Sequence, residues 1–395
     1  MQNAPGTTRN GRPVICFVVS FFPKYFPAGA EIQTFFIARH MLEKGWSVHF
    51  TSQDCGQPTA KRENEDGIWV HKLKPVRFFN PLRCWELYRT LLRIGADIYY
   101  QRGATEYTFV TALAARALKS KFVWATSMVP DCEKRKFWRL RQEEGVTGIR
   151  RLILGLDAWV RDTLISIGRK RADAVVVQNE YQRRRAKEKF GRESTMIKTG
   201  HSVPDNPGEK SHPPLILWVG NAKHVKRPEM FIELAKACSD LEARFVLVGG
   251  RPSATYRERL AHLARGVENL EAKWAVPFDQ TNEWLASASI LVNTSTSEGF
   301  PNTFVQAWLR GVAVVSLSAD PDRVLTRERI GICSGNFARM IADVRQLVDN
   351  PSLRNEMGER ARAYAIREHN LPERMRQYED LFESLYRERH LVQSA

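Results

Sequence analysis

The chain has 395 residues and 60 lysines and arginines against 44 aspartates and glutamates, so its formal net charge is +16. Its length suggests two or three domains, and a hydrophobic share of 43% is ample for large cores. No stretch approaches the roughly 18 uninterrupted apolar residues of a membrane-spanning helix. The positive charge favours anionic partners, which leaves nucleic acid, phosphate-rich ligands and an anionic membrane surface as candidates.

The chain start and the cysteines indicate a cytoplasmic location. The opening MQNAPGTTRNGR is polar, and no apolar segment of the signal-peptide type lies behind it. The cysteines are scattered without a C-x-x-C pair, at Cys16, Cys55, Cys84, Cys132, Cys238 and Cys333. This distribution predicts reduced thiols and argues against a disulfide framework or a zinc site.

The first half of the chain alternates apolar runs with helical patterns. Residues 13–20, PVICFVVS, predict a central buried strand, followed by a loop, a helix that Gly45 ends, and a strand from residue 47. This βαβ unit lacks G-x-G-x-x-G, so a dinucleotide fingerprint is not supported. Further strands are predicted at 67–73, 97–100, 122–125, 174–178 and 195–199, with helices near 82–93, 107–118 and 180–190.

A proline-rich segment, 203–214, predicts a linker, and the alternation restarts after it. Strands are predicted at 215–219, 244–248, 270–274, 290–292 and 312–317, and helices at 227–237, 256–264, 278–286, 337–348, 353–367 and 372–388. Two such halves predict an α/β protein with two facing Rossmann-like domains of doubly wound parallel sheet. We expect the domains at 1–205 and 206–370, with a last helical segment at 371–395.

The stretch 288–317 places polar groups where such sheets bind ligands. Strand 290–292 leads into a loop of small hydroxyl residues, then Pro301 as the first residue of a helix that Gly311 ends. Ligands of doubly wound sheets lie beyond the carboxyl ends of the strands, near helix N-termini that attract anions. Glu298 falls on this loop and Gln306 two helical turns later. A strand–loop–helix whose carboxylate only complements the helix dipole is the alternative.

The same stretch contains EGFPNTF-x-QAW, which resembles the E-x7-E signature of retaining glycosyltransferases of family 4, and most closely their bacterial polysaccharide-type members. The resemblance implies the GT-B fold, in which an interdomain cleft separates the two domains and the last helix crosses back onto the first. It implies transfer of a sugar, of the hexosyl type, from a nucleotide-diphosphate sugar. Retention of configuration by front-face attack and no metal cofactor are further implications.

A lysine at a strand–helix junction can bind a phosphate, although most lysines are simply solvated. Lys226 lies at such a junction, in V-G-N-A-K-H-V-K-R-P-E, which resembles the family segment G-R-x4-K that holds the donor diphosphate. Asn221, after Gly220, stands where the family has arginine. Lys223 or Arg227 could supply the missing charge.

The resemblance also assigns roles to the residues of the 298–306 segment. Glu298 would accept hydrogen bonds from the donor sugar. Backbone groups of the next residues, Gly299, Phe300, Pro301, Asn302 and Thr303, would face the sugar or the distal phosphate. Gln306 replaces the family glutamate that holds the ribose, and an amide can still bind a diol with weaker bonds. The only D-x-D, 320–322, is expected to shape a turn and cap a helix.

The first domain is expected to hold the acceptor. Gly29 and Glu31 lie in Ala-Gly-Ala-Glu, which resembles the family's Gly-Gly-Ala-Glu loop, although a tight turn explains Gly29 equally well. No histidine occupies the loop after strand 122–125 where family members carry one. Ser127 or Asp131 could replace it, with a helix cap as the alternative for Asp131. His201 could line the cleft, or be structural.

A basic amphipathic segment runs through Arg150, Arg151, Leu152, Ile153, Leu156, Trp159, Val160, Arg161 and Leu164. It predicts either a helix on an anionic membrane or a core-facing helix with a solvated basic face. The expected partners are a UDP-, GDP- or other nucleotide sugar and a glycan or lipid-linked acceptor of the cell envelope. A silent nucleotide-sugar binder remains a second class. A nucleic-acid binder is a third, without any recognisable binding motif.

Overall fold

The computed structural model describes residues 11–25, 28–53, 62–74, 79–138, 148–250 and 252–394. Its internal contacts divide the chain into two units. The first unit comprises residues 1–198 together with 374–395, and the second unit comprises residues 199–373. The unit boundaries therefore fall at 198/199 and 373/374, close to the domain limits expected from the sequence at 205/206 and 370/371.

The first unit is built on one eight-stranded sheet. Its strands are β1 (Val14–Val18), β2 (Ser47–Gln53), β3 (Arg62–Glu65), β4 (Ile68–Leu73), β5 (Ile98–Arg102), β6 (Lys121–Ala125), β7 (Ala174–Val177) and β8 (Thr195–Met196). Their order is β3-β4-β2-β1-β5-β6-β7-β8, and only the β3–β4 pair is antiparallel. Every residue of β1 is buried, as the apolar run 13–20 predicts for a central strand.

Helices cover this sheet in the pattern that βαβ crossovers require. They are α1 (Gly29–Glu43), α2 (Pro81–Ile94), α3 (Tyr107–Ala117), α4 (Gly148–Lys170) and α5 (Glu180–Phe190). The ends of α2 and α5 follow local chemistry. Asn80 and Asn179 cap their N-termini by accepting backbone N–H bonds, and Gly95 and Gly191 end them in the left-handed conformation.

The second unit contains a six-stranded, fully parallel sheet. Its strands are β9 (Leu215–Gly220), β10 (Arg244–Gly249), β11 (Leu270–Trp274), β12 (Ile290–Asn293), β13 (Ala313–Ser316) and β14 (Gly331–Cys333). The order β11-β10-β9-β12-β13-β14 reverses direction beside β9, which is the doubly wound arrangement. The fold class predicted from the sequence is therefore confirmed for each unit.

Seven helices of the second unit are described: α6 (Pro228–Ala237), α7 (Ala254–Leu263), α8 (Phe278–Ser287), α9 (Asn302–Trp308), α10 (Val324–Arg327), α11 (Phe337–Asp349) and α12 (Pro351–Glu368). Helix α9 begins one residue later than predicted, because Pro301 is its N-cap residue and not its first residue. It also ends at Trp308, earlier than the expected end near Arg310. Gly311 follows in the left-handed conformation at φ +67°, as expected of a terminator.

The last helix, α13 (Leu371–Ser394), packs on the first unit through its residues beyond 373. The Arg389 guanidinium forms a buried ion pair with Asp97. Glu379 pairs with His40 at 2.7 Å and with Lys44 at 2.9 Å. None of the helices in the described ranges is long and apolar enough to cross a membrane.

Candidate functional site

Lys226 and Glu298 meet in the second unit although 72 residues separate them in the chain. The Nζ of Lys226 lies 2.5 Å from Oε1 of Glu298, and their side chains are 30% and 10% exposed. Lys226 follows β9 and Glu298 follows β12, and these two strands are neighbours in the sheet. Because parallel strands end at one edge, the carboxyl-end loops of β9 and β12 bring the ammonium and the carboxylate together.

A short 3-10 turn, His224–Lys226, presents the lysine. The next residue, Arg227, adopts the left-handed conformation at φ +49° and leads into α6, with Pro228 as its first residue. Thr294 Oγ1 donates to the carbonyl of Lys226 at 2.7 Å and in turn accepts from the indole N–H of Trp218 at 2.9 Å. A left-handed non-glycine residue costs free energy, so these bonds are needed to hold the turn in place.

Asn293, the last residue of β12, also contacts the carboxylate. Its Nδ2 lies 3.3 Å from Glu298 Oε1 and 3.3 Å from Ser295 Oγ. The loop of small hydroxyl residues predicted after strand 290–292 did not identify Asn293 or Thr294 as residues of the site. Their position at the carboxyl end of a buried strand is the signal that could have identified them.

The predicted donor residues after β9 surround the end of that strand. Asn221 packs against Gly250, since a Cβ on Gly250 would lie 2.2 Å from Asn221 Oδ1. The amide of Gly250 donates to the carbonyl of Gly220 at 3.1 Å. Lys223 is exposed and Arg227 half-buried. The absence of a side chain at Gly250 therefore makes room for the Asn221 amide.

The segment from Gly299 to Thr303 forms the entrance to α9. The Phe300 ring packs against His369, with centroids 4.9 Å apart, and against Trp308, with centroids 6.1 Å apart. Asn302 is the first residue of α9, and its Oδ1 lies 3.2 Å from His201 Nε2. The first backbone N–H groups of a helix have no partner within the helix, so this entrance is suited to an anion.

Gln306 lies on α9 and is buried, at 6% exposure. Its Nε2 is 3.4 Å from Asn282 Oδ1 of α8, which is a weak contact. A ribose diol would have to replace this contact, so the predicted role of Gln306 stays a prediction.

Four residues of the first unit were expected on the acceptor side: Gly29 and Glu31 at the start of α1, and Ser127 and Asp131 after β6. Gly29 is the first residue of α1, and Glu31 lies in its first turn. Ser127 Oγ donates to Asp131 Oδ2 at 2.7 Å. Asp131 is completely buried and also accepts from the amides of Ala104, Ser127 and Met128 and from Lys136 Nζ at 2.7 Å.

Asp131 therefore shapes its loop and does not reach a ligand, which corrects that expectation. Burial alone would raise the pKa of Asp131, but the charge of Lys136 and the hydrogen bonds outweigh it and hold the pKa below its usual range. The residue is not the N-cap itself, because it lies inside the 3-10 turn Val129–Cys132, but its carboxylate accepts from the backbone N–H of the N-cap residue Met128 and so helps to cap this turn.

His201 was expected on the acceptor side, but it belongs to the second unit. It is 5% exposed, and its backbone pairs with residues 369–371 by an N–H bond to the His369 carbonyl at 2.9 Å and an N–H bond from Leu371 at 3.1 Å. Burial lowers its pKa to about 4; the hydrogen bond to Asn302 acts in the opposite direction, and the charge of Arg310 adds to the lowering. A neutral histidine therefore supports Asn302 at the start of α9.

Among the described residues, no group of three or more histidines, cysteines, aspartates or glutamates could hold a metal ion. Asp320 accepts from the amide of Leu325 at 2.8 Å and from Thr326 Oγ1 at 2.8 Å, so it caps α10 as the sequence predicts for 320–322.

The basic amphipathic segment is part of α4. Leu152, Ile153, Leu156 and Trp159 are exposed, so the alternative of a core-facing apolar side is wrong for these four residues. Val160 and Leu164 are half-buried, and Arg161 is bound to Glu106 at 2.8 Å. The side chain of Arg150 lies outside the described residues.

Two family models match the chain, one in each half. The model described as "Glycosyl transferase 4-like domain" matches residues 28–197, and that described as "Glycosyl transferases group 1" matches residues 213–350. One curated relative, the N-acetyl-alpha-D-glucosaminyl L-malate synthase of Bacillus anthracis, is 24% identical over 207 residues. That match covers 50% of this chain and 51% of the relative, so it spans about half the length of each.

Solved structures with a similar fold match most of the chain. A sucrose-phosphate synthase of Thermosynechococcus elongatus has a TM-score of 0.74 at 14% identity, covering 95% of this chain and 99% of that one. Anabaena Alr3699/HepE in complex with UDP and glucose has 0.67 at 14%, covering 94% and 100%. WaaG, a glycosyltransferase involved in lipopolysaccharide biosynthesis, has 0.68 at 15%, covering 93% and 99%.

Proposed function

Because its two halves match family models of glycosyltransferases and its fold is the GT-B fold, we propose that the chain is a glycosyltransferase of family 4 that transfers a sugar from a nucleotide-diphosphate sugar to a glycan or lipid-linked acceptor of the cell envelope. The observation that carries the proposal is the ion pair between Lys226 and Glu298 at the carboxyl-end edge of the second sheet. A cation for a diphosphate and a carboxylate for sugar hydroxyls stand together there, beside the N-terminus of α9.

The proposed chemistry assigns one task to each group. Lys226 and the first amides of α9 stabilise negative charge on the diphosphate while the bond from the anomeric carbon to its oxygen breaks. The acceptor hydroxyl attacks the anomeric carbon from the face that the diphosphate leaves, and its proton passes to the departing phosphate oxygen. The configuration is retained, and Glu298 holds the sugar without forming a covalent bond. No metal ion has a role in this scheme.

The remaining predicted residues complete the binding of the donor in this proposal. Gln306 binds the ribose. Lys223 and Arg227 supply the charge that Asn221 lacks, and acceptor recognition is assigned to the first unit, with Gly29, Glu31 and Ser127. Since Anabaena Alr3699/HepE, which has a similar fold, binds UDP with glucose and also UDP-glucose, UDP-sugars are the first donors to test. A reducing, cytoplasmic location is part of the proposal, since the cysteines are scattered along the sequence without a C-x-x-C pair.

The proposal is tested by thermal unfolding with a panel of UDP-, GDP- and ADP-sugars. A donor at 100 times its Kd stabilises the protein by about 2.7 kcal/mol, so the correct nucleotide raises the unfolding temperature. Lys226→Ala should weaken binding of that nucleotide by about 10- to 150-fold, the range for loss of a charged hydrogen bond of roughly 1.5–3 kcal/mol. Glu298→Ala should keep nucleotide binding and abolish sugar transfer.

A matched control is available on α6. Lys236 and Glu233 also form a lysine–glutamate pair, at 2.9 Å, but on the exposed helix surface. Lys236→Ala should leave nucleotide affinity and transfer unchanged. If it affects nucleotide binding as strongly as Lys226→Ala, or if no nucleotide sugar binds, the proposal is wrong.

A silent nucleotide-sugar binder is the second candidate, favoured by Asn221 and Gln306 at positions where the family carries arginine and glutamate. Such a protein would bind UDP or GDP but release neither from any sugar donor. Release of free nucleotide in the presence of an acceptor extract separates the two candidates.

A further inference from the structure

Four large apolar side chains of α4 face solvent in the first unit. Leu152, Ile153, Leu156 and Trp159 are 74%, 63%, 63% and 61% exposed. Their spacing of i, i+1, i+4 and i+7 places them on one side of the helix, whereas Ala158 is buried on the other side. Isolated exposed apolar residues are common, but a continuous row on one helix marks a surface that binds something.

The first turns of α2 extend this surface. The amide of Phe79 donates to Asp157 Oδ1 at 2.8 Å, so the start of α2 lies beside the middle of α4. Leu82 and Trp85, three residues apart on α2, are 75% and 58% exposed. We call these six side chains the apolar face: Leu82, Trp85, Leu152, Ile153, Leu156 and Trp159.

A cavity of about 460 Å³ borders the apolar face at Trp159. Its lining includes two indoles, two cations and one carboxylate, from Trp138, Trp159, Lys134, Arg135 and Asp162, together with two hydroxyl side chains and an isoleucine. Neither Lys134 nor Arg135 has a hydrogen-bond or ion-pair partner within the described ranges, and both are exposed. Two exposed cations therefore stand beside the aromatic walls of the cavity, while the carboxylate in its lining, Asp162, is buried and accepts from backbone amides.

Contacts with α4 fix the position of the segment that lines one side of the cavity. The buried carboxylate of Asp162 accepts from the amides of Phe137 and Trp138 at 2.9 and 3.1 Å. The Trp138 ring rests on α4 at Gly155, where a Cβ would lie 3.4 Å from the ring. These bonds occupy the oxygens of Asp162 and fix the segment that carries both cations.

We propose that the apolar face inserts into the interface of an anionic bilayer and that the cavity binds the phosphate headgroup of an anionic phospholipid. The positive charge of the protein favours an anionic membrane as the partner. Arg89 and Arg151 are also exposed on the two helices, and the whole chain carries a net charge of +16. Aromatic and basic side chains around an apolar helix face are the features that place a helix in the membrane interface. The inference uses the first unit alone and does not rest on the transfer reaction.

The test is co-sedimentation of the full chain with vesicles of phosphatidylcholine, with and without phosphatidylglycerol. Wild type should bind the anionic vesicles and lose binding as salt is raised. The Leu156→Ser/Trp159→Ser variant should bind the anionic vesicles at least about tenfold more weakly than wild type, because two of the apolar side chains that would enter the bilayer are gone. The Lys134→Glu/Arg135→Glu variant should lose the preference for phosphatidylglycerol by a similar factor.

Controls at other exposed positions remove an apolar side chain or invert two charges. Leu391→Ser alters a leucine that is 71% exposed on α13, and Arg257→Glu/Arg265→Glu inverts two exposed charges in the second unit. Both controls should bind vesicles as wild type does, and unfolding temperatures establish that all variants are folded.

Absence of wild-type binding to anionic vesicles overturns the inference, as does a cavity variant that binds like its control. Binding of inorganic phosphate without vesicle binding would also overturn it. Because the assay contains no sugar donor, its failure leaves the proposed transfer reaction untouched. Conversely, vesicle binding by a protein that transfers no sugar leaves the surface assignment standing.

Discussion

At the scale of residues, Lys226 and Glu298 bind each other in the free protein, but each would have to bind a different part of the sugar donor. In the free protein each charge neutralises the other at 2.5 Å, which offsets part of the cost of partial burial. A diphosphate would compete with the carboxylate for the ammonium, and sugar hydroxyls would then satisfy the carboxylate. Asn293, at 3.3 Å from Glu298, keeps one donor on the carboxylate throughout, so its position limits how far that side chain moves.

His201 gives the second unit a predictable dependence on pH. Its pKa is lowered to about 4 from the usual 6.5, chiefly by burial. Between these values the unfolded chain binds a proton that the folded unit does not, so stability falls as the pH is lowered from 6.5 to 4. The full effect is about 3 kcal/mol.

His201→Gln should lower stability at neutral pH but flatten this dependence, measured as the free energy of unfolding in urea at a series of pH values. His262→Gln, at an exposed histidine on α7, should leave the slope unchanged. An unchanged slope for His201→Gln would contradict the assignment.

The sequence could not predict which of the site residues lie next to each other. Strand order determines which loops are neighbours, and the sequence alone does not state that β9 lies beside β12. Residue types and loop positions did identify Lys226 and Glu298 as candidates. Burial explains the failures, since Asp131 was suggested by its place in a loop, yet five donors enclose its carboxylate.

At the scale of elements, long apolar runs predicted strands well and short or polar strands poorly. The edge strand β3 has the sequence RENE, with no apolar residue, and forms by antiparallel pairing with β4. The strand β14 has three residues, two of them half-buried. Thr195–Met196 is all that forms of the strand expected at 195–199. In each case pairing with a neighbour, and not hydrophobic periodicity, creates the strand.

The approach of α12 to Gly311 yields a prediction about packing. A Cβ on Gly358 would lie 2.1 Å from the carbonyl oxygen of Gly311, which is backbone and is held by its left-handed conformation. Gly358→Ala gains up to about 1 kcal/mol of helix propensity, but the clash costs about 1–3 kcal/mol or more because two backbones must separate. The variant should therefore be less stable than wild type by urea unfolding.

Asn355→Ala, at an exposed position of the same helix, provides the control and should change stability by less than about 0.5 kcal/mol. If Gly358→Ala instead raises the free energy of unfolding, the close backbone contact is absent in solution.

At the scale of the whole molecule, the chain crosses between the two units twice, after residue 198 and after residue 373. In the second unit, the segments next to these two crossings pair with each other, and we call this pair of segments the clasp. Residues 199–201 and 369–371 pair by backbone bonds, and His369 Nδ1 lies 2.8 Å from the Thr199 carbonyl. His201 of this clasp contacts Asn302 at 3.2 Å, and the His369 ring contacts Phe300. The entrance to α9 is thus supported by the same residues that join the two units along the chain.

The last helix, α13, is bound to the first unit by a buried ion pair. Arg389 of α13 binds Asp97, whose other oxygen accepts from the amide of Val14 at 2.7 Å. Arg389 Nε also donates to the carbonyl of Lys119 at 2.9 Å. Arg389→Met leaves the carboxylate buried without its cation, and should destabilise the first unit by about 3–5 kcal/mol in urea unfolding.

Adding Asp97→Asn to Arg389→Met should recover much of this loss, because an amide can still accept from Val14 and carries no charge to desolvate. Arg387→Met removes a neighbouring arginine that is exposed and pairs with Glu383 at 2.8 Å on the same helix, so its cost should stay below about 1 kcal/mol. Equal costs for Arg389→Met and Arg387→Met would mean that α13 does not need the buried pair. A large cost for the first alone, reversed in the double variant, would establish that the end of the chain is a structural part of the first unit.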